Sequence, residues 1–340
     1  TLLVALSGPV LGTLADYQGL KKKIFVLSVM VGVCALAALG IPTSWRVFLI
    51  LYIVAKVGYS ASLIFYDSML SDVTTPERMD RVSSHGYAWG YIGSCIPFVI
   101  SLVFVLFYEQ FSMTIMTAMT LAFVINALWW LTCTLPLLKN YKQKYYVEDA
   151  QKDRLRGSFR RLADSFRKIR KHRKIFLFLI AFFFYIDGVY TIIDMATAYG
   201  SALGLDTQGL LVALLVTQIV AFPSALAFAW LARKINNAKL IQICILAYTG
   251  IALFAIQLDK QWEFWVLAVC VGLFQGGIQA LSRSYFAQII PPENAGEFFG
   301  LFDICGKGAA FLGTALISLT AQLSGSANGA IAILAAMFII

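Results

Sequence analysis

Residues 8–23 read GPVLGTLADYQGLKKK: a helix end of small and aliphatic residues, one acid at Asp16, a turn signal at Gly19 and three consecutive lysines. Each part suits the place where a helix leaves hydrocarbon and turns back into it. Gly12 and Gly19 permit a close helix approach and a tight turn. An acid suits the positive end of a neighbouring helix, and lysines hold the turn on the cytoplasmic side. Composition agrees over the whole chain: of 340 residues, 60% are hydrophobic and 13% charged, with a mean hydropathy of +0.78, where soluble domains carry about a quarter charged residues. An ordinary soluble globule is excluded.

Apolar runs long enough to cross about 30 Å of hydrocarbon predict complete spans at Ile24–Ile41, Val47–Tyr66, Tyr87–Tyr108, Thr114–Leu138, Ile175–Tyr199, Leu210–Ala232, Leu240–Leu258, Phe264–Ala280 and Phe298–Leu323. Partial spans occupy both chain ends. The chain opens at Thr1 within an apolar segment, which reads as a fragment lacking its first helix and truncated in its last. All spans are expected to be helices, because a lone strand leaves its backbone unpaired in lipid and these runs are too long for barrel strands.

Charge between the runs sets the orientation. Taken in alternation, the loops of one side hold Lys21, Lys22 and Lys23, then Arg78 and Arg81, then fourteen Lys and Arg between Lys139 and Lys174, then Arg233, Lys234 and Lys239. Loops of the other side hold only Arg46 and Lys260. The basic side is therefore cytoplasmic, and the net charge of +9 is a topology signal rather than a sign of a nucleic-acid partner. Within the long basic loop, Phe159, Leu162, Phe166 and Ile169 recur at helical spacing opposite Arg and Lys, predicting an amphipathic helix on anionic lipid headgroups. The six cysteines, Cys34, Cys95, Cys133, Cys244, Cys270 and Cys305, fall inside apolar runs without CxxC or Cys/His spacing. They read as small buried residues, not disulfides or metal ligands.

That loop divides the chain into a helical bundle at 1–138, a basic linker at 139–174 and a second bundle at 175–340. The two bundles share a layout. Pro9 and Pro223 lie in spans that each end in a basic turn, and "TTPERMDRVSSHGYAWGYIGS" and "IIPPENAGEFFGLFDICGKGAAFLG" each place Pro-Glu in a loop before a glycine-rich helix. Paired helical halves around a long cytoplasmic loop are a transporter architecture.

With this layout, Gly12, Asp16, Gly19, Lys21 and Lys22 resemble the motif of the major facilitator superfamily between its second and third helices, with Tyr17 and Leu20 standing where the superfamily usually has basic residues. "FYDSMLSDV", "RVSSHGYAWGYIGS", "FYIDGVYTIIDMA" and "ALSRSYFAQIIPPENAGEFFGLFDICGKGAAFLG" resemble the branch that includes the fungal vacuolar amino-acid effluxer linked to autophagy and its prokaryotic relatives. The resemblance implies an all-α integral membrane protein of two six-helix bundles with inverted repeats, acting on amino acids. A monomer driven by a proton or sodium gradient, without a cofactor, is the corresponding expectation. Short loops favour a prokaryotic cell membrane over a vacuolar one.

Function is sought where ionisable or polar residues interrupt the spans, since each costs a few kcal/mol in hydrocarbon. Asp187 and Asp194 lie nearly on one helix face about 10 Å apart along the axis, with Tyr190 and Thr191 between them. Asp187 either carries a coupling proton or binds a substrate amine, or it is a structural acid; Asp194 lies either at an outer mouth or in solvent. Lys56 and Asp67 share another face with Tyr59. Lys56 either receives a substrate carboxylate or makes a structural ion pair, and Asp67 suits a gate or a helix-end contact. Gln275 and Gln279 offer donors and acceptors to a polar solute. His85 is expected at the cytoplasmic boundary, Arg283 either snorkels to headgroups or pairs with Glu297 in an inner gate, and Asp303 with Lys307 forms an i, i+4 pair.

No catalytic constellation, metal spacing, GxSxG or P-loop pattern is present, so the reading is not an enzyme. Secondary transport of a small polar solute by alternating access is expected, with those polar residues lining one vestibule. A transporter-like receptor that binds without translocating, and a carrier for sugars or organic anions, are the alternatives.

Overall fold

The computed structural model describes residues 2–41, 44–148, 172–202, 204, 206–258, 260–324 and 338. Within them the chain is almost wholly helical: α1 Leu2–Ala15, α2 Leu20–Ala37, α3 Trp45–Ser68, the short α4 Leu70–Val73, α5 Met79–Leu106, α6 Ile115–Asn140, α7 Arg173–Ala202, α8 Thr207–Leu231, α9 Asn237–Ala255, α10 Gln261–Ile289 and α11 Ala295–Ser324. Among the described residues, eight helical segments are long and apolar enough to cross a membrane. The thirty-residue α11 covers the ninth expected span. Large apolar side chains such as Trp45, 71% exposed, and Leu246, 72% exposed, point away from the protein interior, as lipid-facing residues must. The predicted amphipathic helix at Phe159–Ile169 lies outside the described residues.

Three expectations need correction. First, α5 starts at Met79 and not at Tyr87, so His85 lies inside a helix and is half-buried; the polar turn MDRVSSHG continues the helix, with Asp80 and Ser83 finding partners within the fold. Second, α10 runs on to Ile289. Arg283, only 5% exposed, is thus packed within protein and does not reach for headgroups. Third, Cys34 and Cys133 are exposed, while Cys95 and Cys244 are buried.

Two compact units form, and they do not follow chain order. The first comprises Thr1–Val73, Gly93–Ser165 and Pro291–Leu301; the second comprises Thr74–Ile92, Phe166–Ile290 and Phe302–Ile340. In the first, α2 packs on α3 and α6, with Phe25, Val29, Val33, Phe65, Met69 and Tyr141 in one core. A Cβ on Gly58 would lie 2.6 Å from the Gly32 nitrogen, so these glycines set how closely α2 and α3 cross. In the second, α10 packs on α8 and α9. Phe182, Phe286 and Phe302 stack there, with ring centroids 3.9 Å apart for Phe182 and Phe302 and 4.9 Å for Phe286 and Phe302.

Candidate functional site

The opening motif folds as a latch at the basic end of the first unit. Gly19 precedes α2 in the left-handed region, φ 72°, which a side chain would disfavour. This turn brings Asp16, wholly buried, to the start of α11. Its Oδ1 accepts from the Gly296 N–H at 2.7 Å and its Oδ2 from the Glu297 N–H at 2.9 Å, satisfying two donors that a helix start leaves unpaired and placing a negative charge at its positive end. Close approach makes this geometry possible, because a Cβ on Gly296 would strike the Gly12 carbonyl oxygen and sit 2.7 Å from Asp16 Oδ1. Gly296→Val is expected to part α1 from α11, lowering stability by about 2 to 4 kcal/mol through overpacking and loss of the cap. Thermal unfolding in detergent checks this, and an unchanged midpoint contradicts the contact.

Lys21 departs from expectation. It does not hold the turn in water: it is fully buried and its Nζ lies 3.0 Å from Asp72 Oδ2, while Lys22 is half-buried and Lys23 exposed. Asp72 is a hub that sequence reasoning left out. Besides Lys21 it accepts from the Tyr141 hydroxyl at 2.6 Å and from the Lys144 and Tyr145 N–H groups at 3.0 Å each, filling the four acceptor positions of a carboxylate. Burial first, and then the bond to Asp72, push the Tyr141 phenol above its ordinary range, so it remains a donor. The same stretch of linker straps the motif itself: Gln143 Oε1 accepts from the Gly19 N–H at 3.0 Å, Gln143 Nε2 donates to the Ala15 carbonyl at 3.3 Å, and the Val147 N–H donates to the Asp16 carbonyl at 2.9 Å.

A second polar cluster joins the start of α5 to α9 and α10 within the second unit. Asp80 Oδ1 accepts from Asn237 Nδ2 at 2.6 Å, Ser284 Oγ at 2.6 Å and Gln288 Nε2 at 3.1 Å. Arg283 donates from Nε to Ser83 Oγ at 2.9 Å and from Nη2 to the Ser83 carbonyl at 3.1 Å, with its guanidinium 4.6 Å from the centroid of the Tyr87 ring. In each unit, a buried or half-buried acid thus gathers donors from segments far away in sequence.

Asp187 sits mid-helix in α7, wholly buried. Its Oδ1 accepts from the Gly313 N–H at 3.1 Å and from Thr191 Oγ1 at 3.5 Å, while its Oδ2 is buried without a hydrogen-bond partner. Gly313 exists for this acid: a Cβ there would collide with Asp187 Oδ1 and Thr191 Oγ1. Tyr185, nearby, shares a 2.6 Å bond with Ser282. Tyr190 is half-buried beside Gly306 of α11, and Asp194 is exposed. Gln275 is buried and Gln279 half-buried, with the Tyr91 hydroxyl donating to Gln279 Oε1 at 3.1 Å.

Other candidates occupy separate places. Lys56 lies on the exposed face of α3 with its ammonium 5.8 Å from the Tyr59 ring centroid, and Tyr59 in turn meets Trp130 edge-on at 5.8 Å. Asp67 is half-buried one helix end away. Asp303 and Lys307 form an i, i+4 pair at 2.6 Å, their side chains 15% and 18% exposed. Glu297, buried, accepts from Asn294 Nδ2 at 3.4 Å. Among the described residues, no group of three His, Cys, Asp or Glu side chains is placed to hold a metal ion.

Comparison with known proteins identifies the family. The family model "Vacuole effluxer Atg22 like" matches residues 1–340. An MFS-type transporter of Bacillus subtilis, YxiO, is 43% identical over 100% of this chain and 80% of its own length. Autophagy-related protein 22-1 of Aspergillus niger is 25% identical over 76% of this chain, which spans only 45% of that fungal protein. The human organic anion transporter MFSD10 superposes with a TM-score of 0.68 at 16% identity, over 99% of this chain and 79% of its own, a likeness of fold. The chain is a multi-pass membrane protein that belongs to the Atg22-like vacuole effluxer branch of the major facilitator superfamily of transporters.

Proposed function

We propose that the chain is a secondary carrier that moves a small zwitterionic solute, with amino acids as the class, by alternating access coupled to a proton gradient. Asp187 is the observation that carries this reading. It is a wholly buried acid in a membrane helix, one of its oxygens has no partner, and among the described residues no cation pairs with it. An acid so placed is expensive unless it takes a proton or an amine from outside the fold. Its free oxygen is the place for either, and Gly313 supplies the fixed donor that orients it. The amino-acid class agrees with the family resemblance. The working site is a prokaryotic cell membrane and the working form a monomer.

Liposomes containing the purified full-length protein test the proposal. Labelled amino acids should accumulate against their gradient when a pH difference is imposed, and a protonophore should abolish that accumulation. Solute that stabilises the protein without crossing the bilayer makes it a receptor instead, and flux of sugars or organic anions alone overturns the substrate class.

A further inference from the structure

One cavity in the second unit holds polar groups that the chain leaves unsatisfied. It lies among α7, α8 and α10 and measures about 40 Å³, room for about three water molecules or the end of a short side chain. Ile192, Leu214 and Val271 are among its apolar walls, and its polar lining is Thr217, Gln218 and Gln275. Thr217 Oγ1 donates to the Ala213 carbonyl at 3.0 Å and the Ala268 carbonyl at 3.2 Å, so its proton is committed and it presents only lone pairs.

Tyr91 donates to Gln279 Oε1 at 3.1 Å. Gln275 Oε1 is buried without a partner, as is Gln218 Oε1, and Gln275 as a whole is only 5% exposed. Both glutamines belong to a lining that contains no charged residue.

We propose that this cavity is a side-chain pocket for the transported solute, selecting short uncharged side chains that end in an O–H or N–H donor. It rests on the carrier reading above and names the solutes within the amino-acid class. Apolar walls accept the aliphatic stem, the amide oxygens require a donor at its tip, and the absence of a lining charge disfavours ionised ends.

Threonine and valine, which match in shape and differ in the hydroxyl, are the probes. In exchange assays with the full-length protein in liposomes, threonine is expected to be preferred by about tenfold, since a site built to receive a donor rejects the analogue lacking it. Gln275→Met should bring the threonine-to-valine ratio close to one, and Gln218→Met should move it in the same direction. The second variant carries the test alone if the first does not fold, as judged by its unfolding midpoint. Active exchange with no threonine preference, or with a ratio that neither variant moves, means that only water fills the cavity and overturns the pocket while leaving the carrier intact. Absence of any amino-acid exchange overturns both.

Discussion

Replacing Asp187 with asparagine is expected to uncouple transport from the pH gradient, with proton-driven accumulation falling by about 5- to 150-fold, the usual size of coupling between two ligands. The substitution is nearly isosteric. Asparagine keeps an oxygen to accept from the Gly313 N–H, so the contact between α7 and α11 at that point survives. What it removes is the capacity to exchange a proton or to hold an amine by charge. The unfolding midpoint should therefore move little, because the buried acid has no cation among the described residues to orphan. Measuring accumulation with and without an imposed pH difference separates the cases. Unchanged pH-driven accumulation in Asp187→Asn would falsify its coupling role. Gly313→Leu offers a second view of the same group, since its side chain would occupy the space of Asp187 Oδ1 and Thr191 Oγ1.

The second large effect is on stability. Asp72→Ala removes the acceptor for four donors at once: Lys21 Nζ, the Tyr141 hydroxyl and the Lys144 and Tyr145 N–H groups. Lys21 is left as a buried charge with its bonded acid gone. Breaking such a pair costs about 3 to 5 kcal/mol, at the severe end of single substitutions. Lys21→Met combined with Asp72→Ala should recover roughly half of that loss, because an apolar stem replaces the orphaned ammonium while the two linker N–H groups remain unpaired. Detergent unfolding of the two variants gives the comparison. A loss below about 1 kcal/mol for Asp72→Ala would place the hub in contact with solvent and contradict its burial. Tyr141→Phe should share the sign at a smaller size, about 1 to 3 kcal/mol, since it deletes only the hydroxyl that donates at 2.6 Å.

How legible each group was depends on how far away its partners lie. Asp187 stood out in a run of apolar residues with no need of a fold. Asp16 did so too, through its spacing to Gly12 and Gly19. Asp72 did not, because its donors are 51 to 73 residues away, and nothing near it in the chain distinguishes it from an acid in a loop. Lys21 was misread for the same reason: three lysines in a row look alike until Asp72 removes the first of them from water. Arg283, read either as snorkelling or as a partner of Glu297, is held by Ser83, a contact 200 residues apart in sequence, and lies over the Tyr87 ring.

That the long apolar runs become membrane-length helices, the sequence determined by itself, because lipid acts on each residue separately and hydrophobic length is a sum over neighbours. Which carboxylate is paired, which is left with an open oxygen and which lysine is dry, only the tertiary structure decided. Hydrogen bonds and ion pairs act over about 3 Å, so their partners are known only once distant helices have been brought together.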